Sequence, residues 1–145
     1  MLKVGLIEMK NRILYRRLET KHYLCAIIQN EMGISKLKVV LTEEAQAFLD
    51  AQPFKAQQKI YYNIFKVEEG VMKVDIFKKL ENTEIWEFRT LYNGICYRLF
   101  SFWDTEEETL VIATHGIVKK TQKTPLKEIA KAEEIRKEYF NNKNK

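Results

Sequence analysis

The dipeptide Asn93-Gly94 stands between the first two of three apolar, aromatic-rich runs that fill residues 85–124. Asn-Gly between alternating runs predicts a two-residue hairpin, because both central residues of that turn need positive φ. Counting outward sets the register: Tyr92 faces Ile95, Leu91 faces Cys96, Thr90 faces Tyr97 and Arg89 faces Arg98. Two like charges directly opposite each other destabilise a ladder by roughly 0.2–1 kcal/mol. Glu87, two residues along on the same face, can neutralise one guanidinium but not both. The pair is therefore either a solvated end of the sheet bridged by Glu87 or a site for an anion. A phosphodiester suits the second reading, since guanidinium binds phosphate oxygens bidentately.

The third run, 109–115, ends in His115-Gly116 and is followed by Lys119, Lys120 and Lys123 before Thr124-Pro125. As a third antiparallel strand it would bring the segment after His115 near the sheet, at an end the sequence does not fix; convergence of His115 and the three lysines on the arginine pair would make a phosphate-handling site. His115 is the acid/base candidate, because its ordinary pKa lies nearest neutrality. A structural histidine at a strand end is the competing reading.

Charge is unevenly spread along the 145 residues, whose formal net charge is +5. Residues 1–41 carry eight Lys/Arg against three Glu, residues 42–118 eight against thirteen acids, and residues 119–145 nine against four. A basic segment running on from the candidate site favours an anionic partner such as RNA or DNA. The length suits one domain with one core, and the composition is that of a globular chain. No run reaches the ~18 apolar residues of a membrane span, and no secretory signal is expected. Cys25 and Cys96 lack CxxC spacing and read as buried thiols of a reducing cytoplasm. With only His22 and His115 besides, neither zinc nor a cofactor is expected.

Along the chain, Ile7, Leu14 and Leu18 are spaced as a helix stripe, and residues 1–31 read as an N-terminal extension or as upstream sequence from an over-long gene start. Residues 36–41 read as a first strand. Thr42 then caps a short acidic helix that stops before Pro53, and a second helix buries Ile60, Ile64 and Val67 and ends at Gly70. Residues 71–80 read as a connector with a helical turn near Ile76 and Phe77. In the hairpin, Trp86, Phe88 and Leu99 should pack under the helices, with Phe100 and Phe102 on the opposite face. Residues 104–108 form an acidic turn, a last helix runs from Pro125 to about Phe140, and 141–145 are expected to fray. The expected architecture is α+β, with a small antiparallel sheet covered on one face by a helical hairpin, and a C-terminal helix; the domain spans 32–140.

The stretches LENTEIWEFR (80–89), YNGICYRL (92–99) and HGIVKKTQKTP (115–125), in this order of elements, resemble the phage-derived, HigB-like branch of RelE-type toxins in the RelE/ParE superfamily. The resemblance spans about residues 37–139. It implies a toxin silenced by a cognate antitoxin, typically a helix-turn-helix protein, and a cytoplasmic endoribonuclease that cuts mRNA on the ribosome without metal. The ribose 2′-hydroxyl would attack the adjacent phosphate and leave a cyclic phosphate. Arg98 matches the phosphate-stabilising arginine of the family, and Arg89 would be the second clamp. Lys119 and Lys120 lie where the family has basic residues that hold phosphate or, if sufficiently desolvated, take a proton. His115 completes the catalytic candidates, while Lys120, Lys123 and Glu87 are assigned to RNA binding. Tyr92 and Tyr139 are weaker candidates. No lysine pair follows the second helix at the spacing of the best-known members, although Lys78 and Lys79 offer a substitute. Arg98→Ala is expected to abolish toxicity while sparing the fold. The alternatives are a ParE-like DNA gyrase inhibitor that acts by binding, and an inert remnant of the same fold.

Overall fold

A computed structural model describes residues 6–8 (backbone), 37–106, 110–119 and 123–143. In chain order they form β1 (Leu6–Glu8), β2 (Lys38–Thr42), α1 (Glu43–Asp50), α2 (Phe54–Glu68), β3 (Phe77–Lys79), β4 (Ile85–Tyr92), β5 (Ile95–Trp103), β6 (Leu110–Lys119) and α3 (Leu126–Lys143). The strands make one sheet in the order β1-β2-β6-β5-β4-β3. The α+β expectation holds, with one addition: β2 runs parallel to β6, its neighbour through the middle of the sheet.

The hairpin has the register counted from Asn93-Gly94, from Tyr92 opposite Ile95 to Ile85 opposite Phe102. Asn93 and Gly94 both take positive φ, 54° and 75°. Thr42 caps α1 by accepting the Ala45 N–H at 3.1 Å. Pro53 occupies the cap position of α2, one residue before the helix proper. Between them α1 and α2 cover one face of the sheet, burying Leu49, Ile60, Ile64 and Val67 against Val39, Leu41, Phe88 and Leu99. The other face is not bare. Helix α3 lays Ala132 and Ile135 over Val40, Ile85, Phe100, Phe102 and Ile112, so Phe100 and Phe102 are core.

Four boundaries differ from expectation. Phe77, expected in a helical turn, opens the short edge strand β3, and its ring packs 4.5 Å from Phe88 between centroids. Three residues leave too little alternation to be recognised as a strand. Ile7, expected on a helix stripe, lies in β1, paired with Leu41; the rest of the expected extension, 1–5 and 9–31, falls outside the described residues. Helix α3 continues to Lys143, whose Nζ lies 2.6 Å from the buried carboxylate of Asp104, alongside the Tyr139 hydroxyl at 2.6 Å.

Strand β6 also runs past its expected end at His115 to Lys119. Two features let it do so. The ladder with β5 slips between Phe100 and Ser101, leaving Thr114 as the extra residue of a bulge. The Thr114 carbonyl accepts the Thr42 hydroxyl at 2.6 Å, so the cap of α1 satisfies the irregular backbone. Gly116 then gives room to Phe48 of α1, whose ring carbon lies 2.1 Å from where a Cβ would stand. Gly116→Ala should force the ring aside and lower stability by about 1–3 kcal/mol, measurable as a lower midpoint in denaturant unfolding.

Candidate functional site

Side chains alternate across a strand, so Glu87 and Arg89 of β4 share a face with Cys96 and Arg98 of β5. The bulge adds Lys119 to that face. Upstream of it Val111 and Ala113 point towards α1 and α2; downstream the parity is inverted, and His115, Ile117 and Lys119 stand opposite Phe100, Arg98 and Cys96. Without the extra residue Lys119 would point to the helical hairpin. The face that carries the cations is thus the α3 face, at the end nearest the hairpin turn.

Glu87 is the centre of this group. Its carboxylate is 1% exposed, and Oε1 accepts both the Arg98 guanidinium and, at 3.4 Å, Nε of Arg89. Its Oε2 accepts the Thr124 hydroxyl at 2.8 Å. The like-charge pair across the hairpin is therefore bridged by Glu87, as the first sequence reading had it, but the bridge is buried and not solvated. The two arginines differ. Arg98 is 4% exposed and directs Nε at the Cys96 sulfur at 3.0 Å, whereas Arg89 is 28% exposed and keeps a face to solvent.

Lys119 is buried opposite Cys96, and its Nζ has no hydrogen-bond partner among the described residues. An ammonium in that position has lost water and gained a guanidinium neighbour. Burial, and then the Arg98 charge, push the Lys119 pKa below the ordinary lysine value, against an opposing pull from Glu87. A shift in that direction favours the neutral amine relative to an ordinary lysine.

His115 does not join the group. It stands four residues before Lys119 on β6, roughly 13 Å along the strand, buried with its ring 4.9 Å from that of Phe100. Nε2 lies 2.8 Å from Glu128 Oε2 of α3, and Nδ1 lies 3.0 Å from the Thr114 hydroxyl. This places it as a pin between β6 and α3. Lys120 lies outside the described residues, and Lys123 is exposed just before Thr124. Lys78 is exposed opposite Glu87 in register, on the cation face, while Lys79 pairs with Glu84 at 3.6 Å. Tyr92 packs against the first core, and Tyr139 is tied to Asp104. Cys96 is a half-buried free thiol, not the fully buried one expected; Cys25 is outside the described residues. Thr124 was missed: nothing in its surroundings marks a loop threonine as the partner of a carboxylate 37 residues earlier.

Burial changes what Arg98→Ala would do. Glu87 would lose its closest counter-ion in a dry site, and breaking a buried pair from one side costs about 3–5 kcal/mol. The substitution would lower stability as well as remove a cation, so the sparing of the fold expected from sequence does not follow.

Fold and site together define a small α+β protein that presents a buried-carboxylate, two-arginine, one-lysine cluster at one end of its sheet. A family model described as phage-derived protein Gp49-like matches residues 47–137, well over half of the chain and the whole of this cluster. The chain belongs to that family, which is related to the RelE-type toxins and commonly supplies the toxin of toxin–antitoxin pairs. No protein of curated function matches it. Among the described residues, no helix is long and apolar enough to cross a membrane, and no group of His, Cys, Asp and Glu is arranged to hold a metal ion.

Burial pushes the His115 pKa below the usual histidine value, with the hydrogen bond to Glu128 acting against it. Over the interval between the unfolded and folded pKa, the unfolded chain binds more protons, so stability rises with pH. The contribution is complete above the unfolded value of about 6.5 and is lost as pH falls towards the lower folded value. His115→Gln should flatten this dependence in unfolding midpoints measured between pH 5 and 7, relative to the native chain.

Proposed function

We propose that the protein is a toxin of the HigB-like, RelE-type kind, an endoribonuclease that cleaves mRNA on the ribosome by internal attack of the 2′-hydroxyl. The observation that carries the reading is the buried Lys119 amine, without a hydrogen-bond partner among the described residues and subject to the charges of two guanidiniums. The neutral amine takes the 2′-proton while the 2′-oxygen bonds to the adjacent phosphorus. The bond from phosphorus to the 5′-oxygen breaks, leaving a 2′,3′-cyclic phosphate, and the departing oxygen takes a proton from solvent. No oxidation state changes in this sequence.

Arg89, the half-open guanidinium, is the group placed to grip the non-bridging oxygens as negative charge builds on them. Burial, and then the charge of Arg98, itself held by Glu87, depress the pKa of Lys119. Lys78 and Lys123 extend the positive rim along which an RNA backbone would lie. Glu87, expected at the RNA, acts instead on the two arginines that meet it. His115 serves the packing of α3 and not proton transfer. A cognate antitoxin, of the helix-turn-helix type implied by the resemblance, would hold the toxin silent in the cytoplasm.

Lys119→Met keeps the length of the side chain and removes the base. It should lower the cleavage rate by ~10²–10⁴-fold, and Arg89→Ala by ~10²–10³-fold, with unfolding midpoints close to native. The measurement is 5′-end mapping of mRNA in a translating extract given the free protein. Codon-phased ends that vanish with Lys119→Met support the reading. Full cleavage by Lys119→Met removes Lys119 from the chemistry, and a DNA-damage response without cleavage favours gyrase inhibition.

A further inference from the structure

The Cys96 thiol has no part in the chemistry above, yet it stands within the cluster. Cys96 is the register partner of Leu91 on one side and of Lys119 on the other, so the three form a row across β4, β5 and β6. Directly opposite side chains on one face have Cβ atoms about 4.5–5.5 Å apart. The sulfur accepts the Arg98 Nε–H at 3.0 Å, and Cys96 is half-buried. Leu91, 62% exposed, leaves the row open to solvent on the β4 side. On the β6 side the Lys119 amine is buried and has no hydrogen-bond partner among the described residues. A thiol open to solvent over an apolar side chain thus has a guanidinium on its sulfur and an unsatisfied N–H donor beside it. We propose that Cys96 is a modification site for small disulfides that carry carboxylates, and that the mixed disulfide closes the cluster.

The exchange is balanced by the disulfide itself, which is the oxidant. Cys96 gives its proton to solvent, and the thiolate attacks one sulfur of the incoming S–S bond. A new S–S bond forms as the old one breaks, and the departing thiolate takes up a proton. Cys96 is oxidised and the half that leaves is reduced. The thiolate brings negative charge to the site, where the Arg98 N–H is already directed at Sγ; an electropositive, partly exposed setting is where reactive cysteines are found. The carboxylate of the half that stays has two donors to meet. Lys119 is the direct cross-strand neighbour of Cys96. Arg89, 28% exposed, is its diagonal neighbour across the hairpin, roughly 7–8 Å away and within the span of long side chains. A neutral disulfide has no use for these donors, and a cationic one is repelled by the arginines. That the adduct stops cleavage rests on the reading of Lys119 as the base and Arg89 as the phosphate grip, since the adduct occupies both.

The test uses three disulfides of similar size and different charge on the full chain: dithiodipropionate, hydroxyethyl disulfide and cystamine. Peptide mass mapping reads the adduct at Cys96 apart from any at Cys25. Each rate is divided by that of the same disulfide with mercaptoethanol, which cancels intrinsic reactivity. Dithiodipropionate should modify Cys96 about tenfold faster than the neutral disulfide, with cystamine slowest. Lys119→Met should slow dithiodipropionate about tenfold and spare the neutral probe. No adduct at Cys96, rates that do not rank by charge, or a ranking that Lys119→Met leaves intact overturns the proposal. With purified ribosomes and mRNA in thiol-free buffer, the dithiodipropionate adduct should lose cleavage and regain it on reduction with dithiothreitol, while Cys96→Ser is insensitive to the disulfide. An adduct that cleaves like the unmodified chain overturns the closure of the cluster. Failure of the unmodified chain to cleave would instead count against the endoribonuclease reading, which the adduct mapping does not depend on.

Discussion

The structure at the site depends on a carboxylate that cannot leave. Two arginines face each other across a hairpin whose register is dictated by a two-residue turn, and that arrangement is tolerable only because Glu87 lies between them. A buried ion pair of this kind contributes little net stability compared with apolar packing, since desolvation offsets most of its Coulomb energy. Its effect is specific. It concentrates positive charge where one edge of the group, at Arg89, reaches solvent, and it places that charge next to a lysine deprived of water.

Helix α3 shares the face of the sheet that carries the cluster. The face opposite the helical hairpin would otherwise be an open sheet surface, and at high dielectric neither the Arg98 charge nor burial would move a lysine pKa far. Ala132 and Ile135 cover the middle of that face. The helix is fixed at its first turn by Glu128 to His115 and at its last by Tyr139 and Lys143 to Asp104. The Lys143 pKa is raised by its hydrogen bond to Asp104, which marks this contact as an ionic latch. His115 therefore anchors the first turn of α3 to β6.

Much of this was legible in the chain before any coordinates. Asn93-Gly94 specified the register, Thr42 and Pro53 punctuated the helical hairpin, and the three related stretches pointed to the family. What was not legible was burial and long-range pairing. Arg89 and Arg98 look equivalent in sequence and differ in exposure: Arg98 lies on β5, between β6 and β4, whereas Arg89 lies on β4, beside the short edge strand β3. His115 carries the right chemistry for catalysis, yet the Thr114 bulge and Glu128, thirteen residues on, decide its surroundings. Thr124 has no local signature at all. The short strand β3 was hidden because three residues cannot show a period of two.

The Thr114 bulge has a consequence for comparing relatives. Strict alternation through β6 would make Lys120, and not Lys119, the inward amine, because one unpaired residue reverses the parity of everything after it. An alignment gap set on the wrong side of Thr114 would exchange the two lysines without altering the look of the motif. Equivalent positions in this family are therefore better matched by counting from the irregular residue than from the histidine that draws the eye.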